Sequence, residues 1–238
     1  MINFKLQKDK IIKLHEGKNV FKPTQTTQYL YDSIIKNFPK KKISVADMGC
    51  GNGVLGIGLL KTFKNIDSLL LSDISKDALI ICKKNVRINL IKLEKIKYIE
   101  SSIFNNFEKI KFDVIVNDIS GISEEVAKIS PWFNNISCKS GLDGTDLTIN
   151  FLKNYKNFLN KNGKVFFPII SLSNESKIFR YLKKNNIRYK ILLSNSWPLP
   201  QNMMVFKEKL KKLKNKKYIF YKKKFNLLIA TTKIIKLF

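Results

Sequence analysis

Apolar and polar positions alternate from the first residues of this chain. Ile2, Phe4 and Leu6, then Ile11, Ile12 and Leu14, are interrupted by polar neighbours, and the Glu16-Gly17-Lys18-Asn19 cluster ends the pattern. It predicts two or three short extended pieces and a turn. Helical spacing follows at Leu30, Ile34, Ile35 and Phe38, with Thr24 placed to cap the helix N-terminus and Pro39 to close it. From Ile43 the chain alternates short buried runs with amphipathic stretches. Strands are expected at Ile43–Ala46, Ile66–Leu71, Ile96–Glu100, Phe112–Val116 and Val165–Ile170. Helices are expected between them, through Leu59, Leu60 and Phe63, over Lys76–Asn89, and on the Leu147, Phe151, Tyr155, Phe158 and Leu159 face until Asn162-Gly163-Lys164 stops it. A helix over Glu175–Lys184, a strand over Ile187–Leu193, a rigid Trp197-Pro198-Leu199-Pro200 turn, a basic helix over Val205–Leu213 and a strand over Phe225–Thr231 complete the chain. The alternation predicts an α/β protein with a doubly wound, mostly parallel sheet of seven strands, helices on both faces and an antiparallel end.

Within that frame the stretch Asp47-Met48-Gly49-Cys50-Gly51-Asn52-Gly53 carries the first chemistry. Strand, glycine turn and helix in succession form a nucleotide-type site at the carboxyl edge of a parallel sheet, or else a plain tight connection. The third glycine comes one residue early for a dinucleotide fingerprint. Asp47 also puts an anion where a pyrophosphate would need donors, which argues against a nicotinamide cofactor. A carboxylate there suits a ligand with a cationic head, such as S-adenosyl-L-methionine (AdoMet). Asp73 follows Gly53 by 20 residues at the tip of the next strand. An acid so placed can take both hydroxyls of a ribose; alternatively, Asp73 or Ser75 simply caps the following helix. Ser101-Ser102 ends the third parallel strand within reach of an adenine edge. The fourth strand ends in Asn117-Asp118-Ile119-Ser120, facing whatever the glycine turn holds. His15 reads as a loop residue, and Asp143 and Asp146 are too few oxygen ligands for a calcium loop.

Composition sharpens this picture at three points. The 238 residues suffice for one α/β domain with a sizeable core, without repeats or a second domain. No apolar run has the length of a membrane span and Met1–Lys5 lacks a secretory pattern, so a soluble cytoplasmic protein is expected. Cys50, Cys82 and Cys138 are far apart and have no histidine cluster, so neither a disulfide framework nor a metal site is expected. The formal charge of +27 invites nucleic acid. Yet Arg87, Arg180 and Arg188 are the only arginines, and Asn and Ile are also abundant, which is the mark of a compositional bias. Lysines concentrate only between Lys207 and Lys224, a run that reads either as a solvated surface or as an RNA-facing patch.

Taken together, these residues resemble the class I AdoMet-dependent methyltransferases, and among them the HemK-type glutamine methyltransferases and the wider methyltransferase small group. Phe21-Lys22-Pro23-Thr24-Gln25-Thr26-Thr27 is similar to the family's leading segment, Val45–Gly53 to its first motif, and Leu71-Ser72-Asp73-Ile74 to its second. Ser101-Ser102-Ile103-Phe104 is similar to a segment in which Ser102 replaces the usual acid. Ser140–Leu147 resembles the glycine-rich run before the family's late helix. The resemblance implies a short extension with a lead-in helix over residues 1–42 and a Rossmann-like methyltransferase domain over 43–238. It implies AdoMet as cofactor, bound by Thr24, Thr26, Asp47, Gly49, Cys50, Gly51, Gly53, Asp73, Ile74, Ser102 and Asn117. The strand-four tip departs from the family's Asn-Pro-Pro-Tyr: Asn117 is kept, while Asp118, Ile119 and Ser120 replace the rest.

Asn117 and Asp118 are the expected catalytic residues, and Asn117, Ile119, Ser120 and Trp132 the expected acceptor contacts. Trp132 or Phe133 would supply the missing ring. Asp118 either orients or deprotonates a nucleophile or hydrogen-bonds its own turn. The expected acceptor is a nitrogen on a protein side-chain amide. The alternatives are an RNA base, a small molecule, or a silent AdoMet-binding module. The expected partner is a protein or RNA substrate, with no membrane or metal, and the expected state is a monomer.

Overall fold

The computed structural model describes residues 1–91, 94, 96–119, 121–133 and 136–238, and of Lys8 only the backbone. Two compact units divide the chain. One comprises Met1–Ile119 with Asn154–Phe167, the other Ser120–Lys153 with Pro168–Phe238.

In the first unit, β1 (Ile2–Lys5) and β2 (Ile11–Leu14) pair antiparallel, the two extended pieces expected from the alternation. Phe4 sets the edge of its ring against Tyr31 of α1 (Gln25–Ile35), 5.5 Å between centroids. Then come β3 (Ile43–Met48), α2 (Val54–Thr62), β4 (Ile66–Asp73), α3 (Lys76–Ile88), β5 (Ile96–Glu100) and β6 (Phe112–Asn117). The strands run parallel in the order β5-β4-β3-β6, with β7 (Leu159–Ile170) beyond β6. Val45, Ala46, Val114, Ile115 and Val116 are fully buried, which is why β3 and β6 read as continuous apolar runs.

The second unit holds α4 (Glu124–Ala127), α5 (Asp146–Asn154, its last residue in the first unit), the last residues of β7, α6 (Glu175–Lys184), β8 (Tyr189–Pro198), α7 (Lys207–Asn215), β9 (Lys222–Lys224) and β10 (Leu227–Leu237). Here β10 pairs antiparallel with both β8 and β9. Followed through hydrogen-bonded neighbours, the strand order is β5-β4-β3-β6-β7-β10-β8, the mostly parallel α/β sheet with an antiparallel end that the alternation predicts. No helix among the described residues is long and apolar enough to cross a membrane.

Boundaries differ where backbone geometry overrides side-chain pattern. The late helix ends at Asn154 and passes through a 3₁₀ turn, Tyr155–Phe158, so β7 begins at Leu159 and includes the Asn162-Gly163 pair expected to be a stop. Asn162 takes φ +65°, which Asn tolerates, and the β6–β7 register shifts between Phe112 and Val114. Trp197 and Pro198, expected in a turn, extend β8 as partners of Ala230 and Ile229. The basic helix starts two residues late, after a 3₁₀ turn at Gln201–Phe206. The final strand starts at Leu227 because Phe225 and Asn226 form a hairpin turn.

Candidate active site

Parallel pairing brings the singled-out strand tips to one edge. Asp73 lies opposite Glu100, Met48 opposite Ser72, and Met48 also opposite Asn117. The carboxyl ends therefore place Ser101-Ser102, Asp73, the glycine turn and Asn117 side by side. Gly49 and Gly51 take φ values of +66° and +53°, the left-handed region. A Cβ on Gly49 would stand 2.7 Å from Ile119 Cγ1 and 3.3 Å from Ile119 Cα, so the missing side chain lets the tip after β6 close against the turn. Around Gly51 the nearest atom to such a Cβ is the Phe21 carbonyl oxygen at 3.7 Å. That is an ordinary van der Waals distance, so the leading segment borders the turn without crowding it. Gly53 is the N-cap residue of α2.

Asp47 has 0 % exposure. Its Oδ2 accepts the Gly56 N–H at 2.8 Å, while Oδ1 is buried with no partner among the described residues. Loss of water pushes the carboxyl up to about 7; the Gly56 N–H opposes this, and the charges of Asp118 and Asp73 add to it. Asp73 braces the turn: its Oδ2 accepts the Gly51 N–H at 2.8 Å and its Oδ1 the Ser75 N–H at 2.9 Å. Burial raises this carboxyl too, against those N–H groups. Ser75 caps α3 through the Ala78 N–H at 3.3 Å. The Ile74 N–H also bonds the Asp73 carboxylate, so the capping reading is seen, and one of the four carboxylate lone pairs is left for a further donor. Next to it, Ile74 is 63 % exposed, an apolar wall beside the acid. Ser101 donates its N–H to the Asp73 carbonyl at 2.9 Å, which sets the partly exposed Ser102 beside Asp73.

The tip of β6 is held against α1. Asn117 is buried, and its Oδ1 accepts the Ile119 N–H at 2.9 Å, so the side-chain amide is held in a fixed plane. Asp118 bonds its N–H to the Met48 carbonyl at 3.3 Å. Its carboxylate does not fold onto its own turn: Oδ2 accepts the hydroxyl of Thr27 at 2.9 Å. Burial pushes this carboxyl to about 7, against the Thr27 bond. Thr24 caps α1, its N–H reaching Thr27 Oγ1 at 3.3 Å, and Thr26 sits partly exposed in the same first turn. Ser120 lies outside the described residues. In the second unit, Phe133 is buried, while Trp132 is half-buried with its ring edge-on to Trp197 at 5.6 Å. The Gly141–Asp146 run is a bracing loop there: Asp143 takes the Thr145 hydroxyl at 2.7 Å and Lys177 at 2.9 Å.

Three site residues escape a reading of the sequence. Thr27 sits one position beyond the threonines singled out, and its partner is 91 residues away. Asn85 is buried on α3, where its amide donates to the Asn52 carbonyl at 2.8 Å and its Oδ1 accepts the His15 N–H at 2.6 Å. It therefore ties the loop residue His15 to the glycine turn. A polar residue three positions after Cys82 and beside Val86, on the apolar stripe of α3, was the available signal. Cys82 itself meets Cys50; that hydrogen bond first, and burial next, push the Cys50 thiol well up. Neither Asp47, Asp73 nor Asp118 forms an ion pair among the described residues, in a chain carrying +27.

Residues 13–118, which include Thr27, Asp47, the glycine turn, Asp73, Asn117 and Asp118, match the methyltransferase small domain family. A Methanocaldococcus jannaschii protein provisionally named a protein N5-glutamine methyltransferase is 26% identical over 195 residues, 82% of this chain and 94% of its own. The release factor glutamine methyltransferase of Lactococcus lactis is 32% identical over 107 residues, 45% of this chain and 38% of that enzyme. The ribosomal protein L11 methylase of Lactobacillus delbrueckii subsp. bulgaricus shares the fold at a TM-score of 0.59 and 22% identity, over 96% of this chain and 86% of that one. In its family match over residues 13–118, in these relatives and in its architecture, the chain is similar to the class I methyltransferases.

Proposed function

We propose that this enzyme uses AdoMet to methylate the side-chain amide nitrogen of a protein glutamine. The observation that carries the reading is the pair of neighbouring carboxylates, Asp47 and Asp73, without an ion pair among the described residues, beside the turn at Gly51. Such a site fits a cationic ligand. Gly49, Cys50, Gly51 and Gly53 would hold the methionine part with Thr24 and Thr26 lining it. Asp73 would hold the ribose, and Ile74 and Ser102 the adenine side. Fully buried behind the turn, Asp47 acts through its charge rather than by contact. When bound, AdoMet supplies a methyl group on a positively charged sulfur.

The acceptor part of the proposal rests on Asn117 and on the glutamine methyltransferases among the relatives. With Oδ1 fixed by the Ile119 N–H, the Asn117 amide keeps one lone pair to accept from an incoming NH₂ group. An amide nitrogen that gains a methyl group must shed a proton. Asp118, with its carboxyl at about 7 and its orientation set by Thr27, is a suitable acceptor for it. Ile119 would contact the substrate.

Methyl-labelled AdoMet, incubated with the protein and a cell extract, tests this. Label is expected in the protein fraction, released as methylamine on acid hydrolysis. Label confined to RNA or to small molecules would overturn the acceptor, and no AdoMet binding by calorimetry would overturn the donor.

A further inference from the structure

The hairpin that joins β9 to β10 is built against local preference. Leu227 pairs with Lys224, so the turn is the two residues Phe225 and Asn226, at φ +46° and +61°. Two positive φ values are the signature of the mirror-image turn that favours Asn-Gly. A bulky aromatic in the first position is strained, and Phe225 is 86 % exposed, so burial does not compensate for it. This ring stands directly after three exposed lysines, Lys222, Lys223 and Lys224. Just before them, Lys214 of α7 lies over the Tyr221 ring at 4.6 Å, which fixes the end of the lysine-rich helix against the start of the hairpin. Between Leu199 and Phe238 the only acid is Glu208, and of the lysines from Lys207 to Lys224 only Lys209 has an ion pair among the described residues, with Glu125 at 2.8 Å.

We infer that the β9–β10 hairpin and α7 form a binding surface for single-stranded RNA, with Phe225 as the stacking platform and the lysines on the phosphates. Lys224 lies over one face of the Phe225 ring at 5.3 Å, and an exposed ring flanked by cations without ion pairs among the described residues is what unspecific single-strand binding uses: bases stack on the aromatic face and the backbone follows the charge. The lysine run thereby serves a contact, and its abundance is more than a compositional bias. A membrane is the poorer fit, because Leu210 and Leu213 of α7 are buried and the helix keeps no free apolar face to lay into lipid. This surface belongs wholly to the second unit. It suits an enzyme whose protein substrate is carried on RNA, and does not require that reading.

Fluorescence anisotropy of the full chain with a labelled single-stranded RNA of about twelve nucleotides, without AdoMet, tests the inference independently of methyl transfer. Phe225→Gly is expected to weaken binding about 5- to 150-fold, the equivalent of one lost stacking contact, while Phe225→Tyr stays within about threefold of wild type. Glycine suits the turn, so the Phe225→Gly melting temperature is expected to hold or rise. If it falls, the lysine variant decides. Replacing Lys222, Lys223 and Lys224 by Gln is expected to reduce the slope of log K against log salt by about 2. Wild-type affinity in Phe225→Gly together with an unchanged slope in the lysine variant would overturn the inference. So would phosphatidylserine vesicles or polyglutamate displacing the RNA at equal charge concentration.

Discussion

Asp47 shows how one buried side chain couples proton binding and stability. Its folded carboxyl titrates near 7, above the ordinary 3.8, so between those values the native state holds a proton that the unfolded chain has released. Stability is therefore greatest at the acid end of the window, falls as pH rises from about 4 to about 7, and is lowest once the buried charge is complete. We expect the urea midpoint to drop between pH 5 and pH 7.5, and Asp47→Asn to flatten that slope. A midpoint independent of pH in the wild type would refute the protonated carboxyl. Asp118 has a different task. Asp118→Asn keeps the shape of the side chain and removes the proposed proton acceptor, so kcat is expected to fall about 100-fold or more while AdoMet affinity changes less than about threefold. Equal losses in both would make Asp118 part of the donor pocket.

At the scale of elements, the turn after β3 and the tip after β6 depend on each other. Gly49→Ala combines left-handed strain with a contact on the Ile119 backbone, and is expected to cost about 2 kcal/mol in a thermal or urea melt. Asn85→Ala removes the bridge between His15 and Asn52, and is expected to raise amide exchange in β1 and β2 before the rest of the chain. The strand tips themselves were legible, since Asp47, Asp73 and Asn117 each follow an apolar run and parallel pairing aligns such ends. The partners of those tips were not. Thr27 reaches Asp118 across 91 residues, and spacing within a motif carries no record of such a contact. Strand and helix limits failed where φ decides: Asn162 continues β7 through a shape expected to end a helix, and Phe225 turns a hairpin where an apolar run reads as strand.

Over the whole molecule, a chain of net charge +27 repels itself, and salt screens that repulsion. Melting temperature is expected to rise from about 0.05 M to about 0.5 M sodium chloride; a fall would mean that specific ion pairs outweigh it. AdoMet at a hundred times its Kd is expected to add about 2.7 kcal/mol of stability. The division of the chain bears on how it is made. β6 emerges from the ribosome with one neighbour, β3, already present, but β7 follows only after residues 120–153 of the other unit have been translated. At roughly 5–20 residues per second, the far side of β6 waits for seconds as a bare row of amide and carbonyl groups. Nascent chains stalled in that interval are the ones that holdase chaperones should capture, and full-length ones should escape.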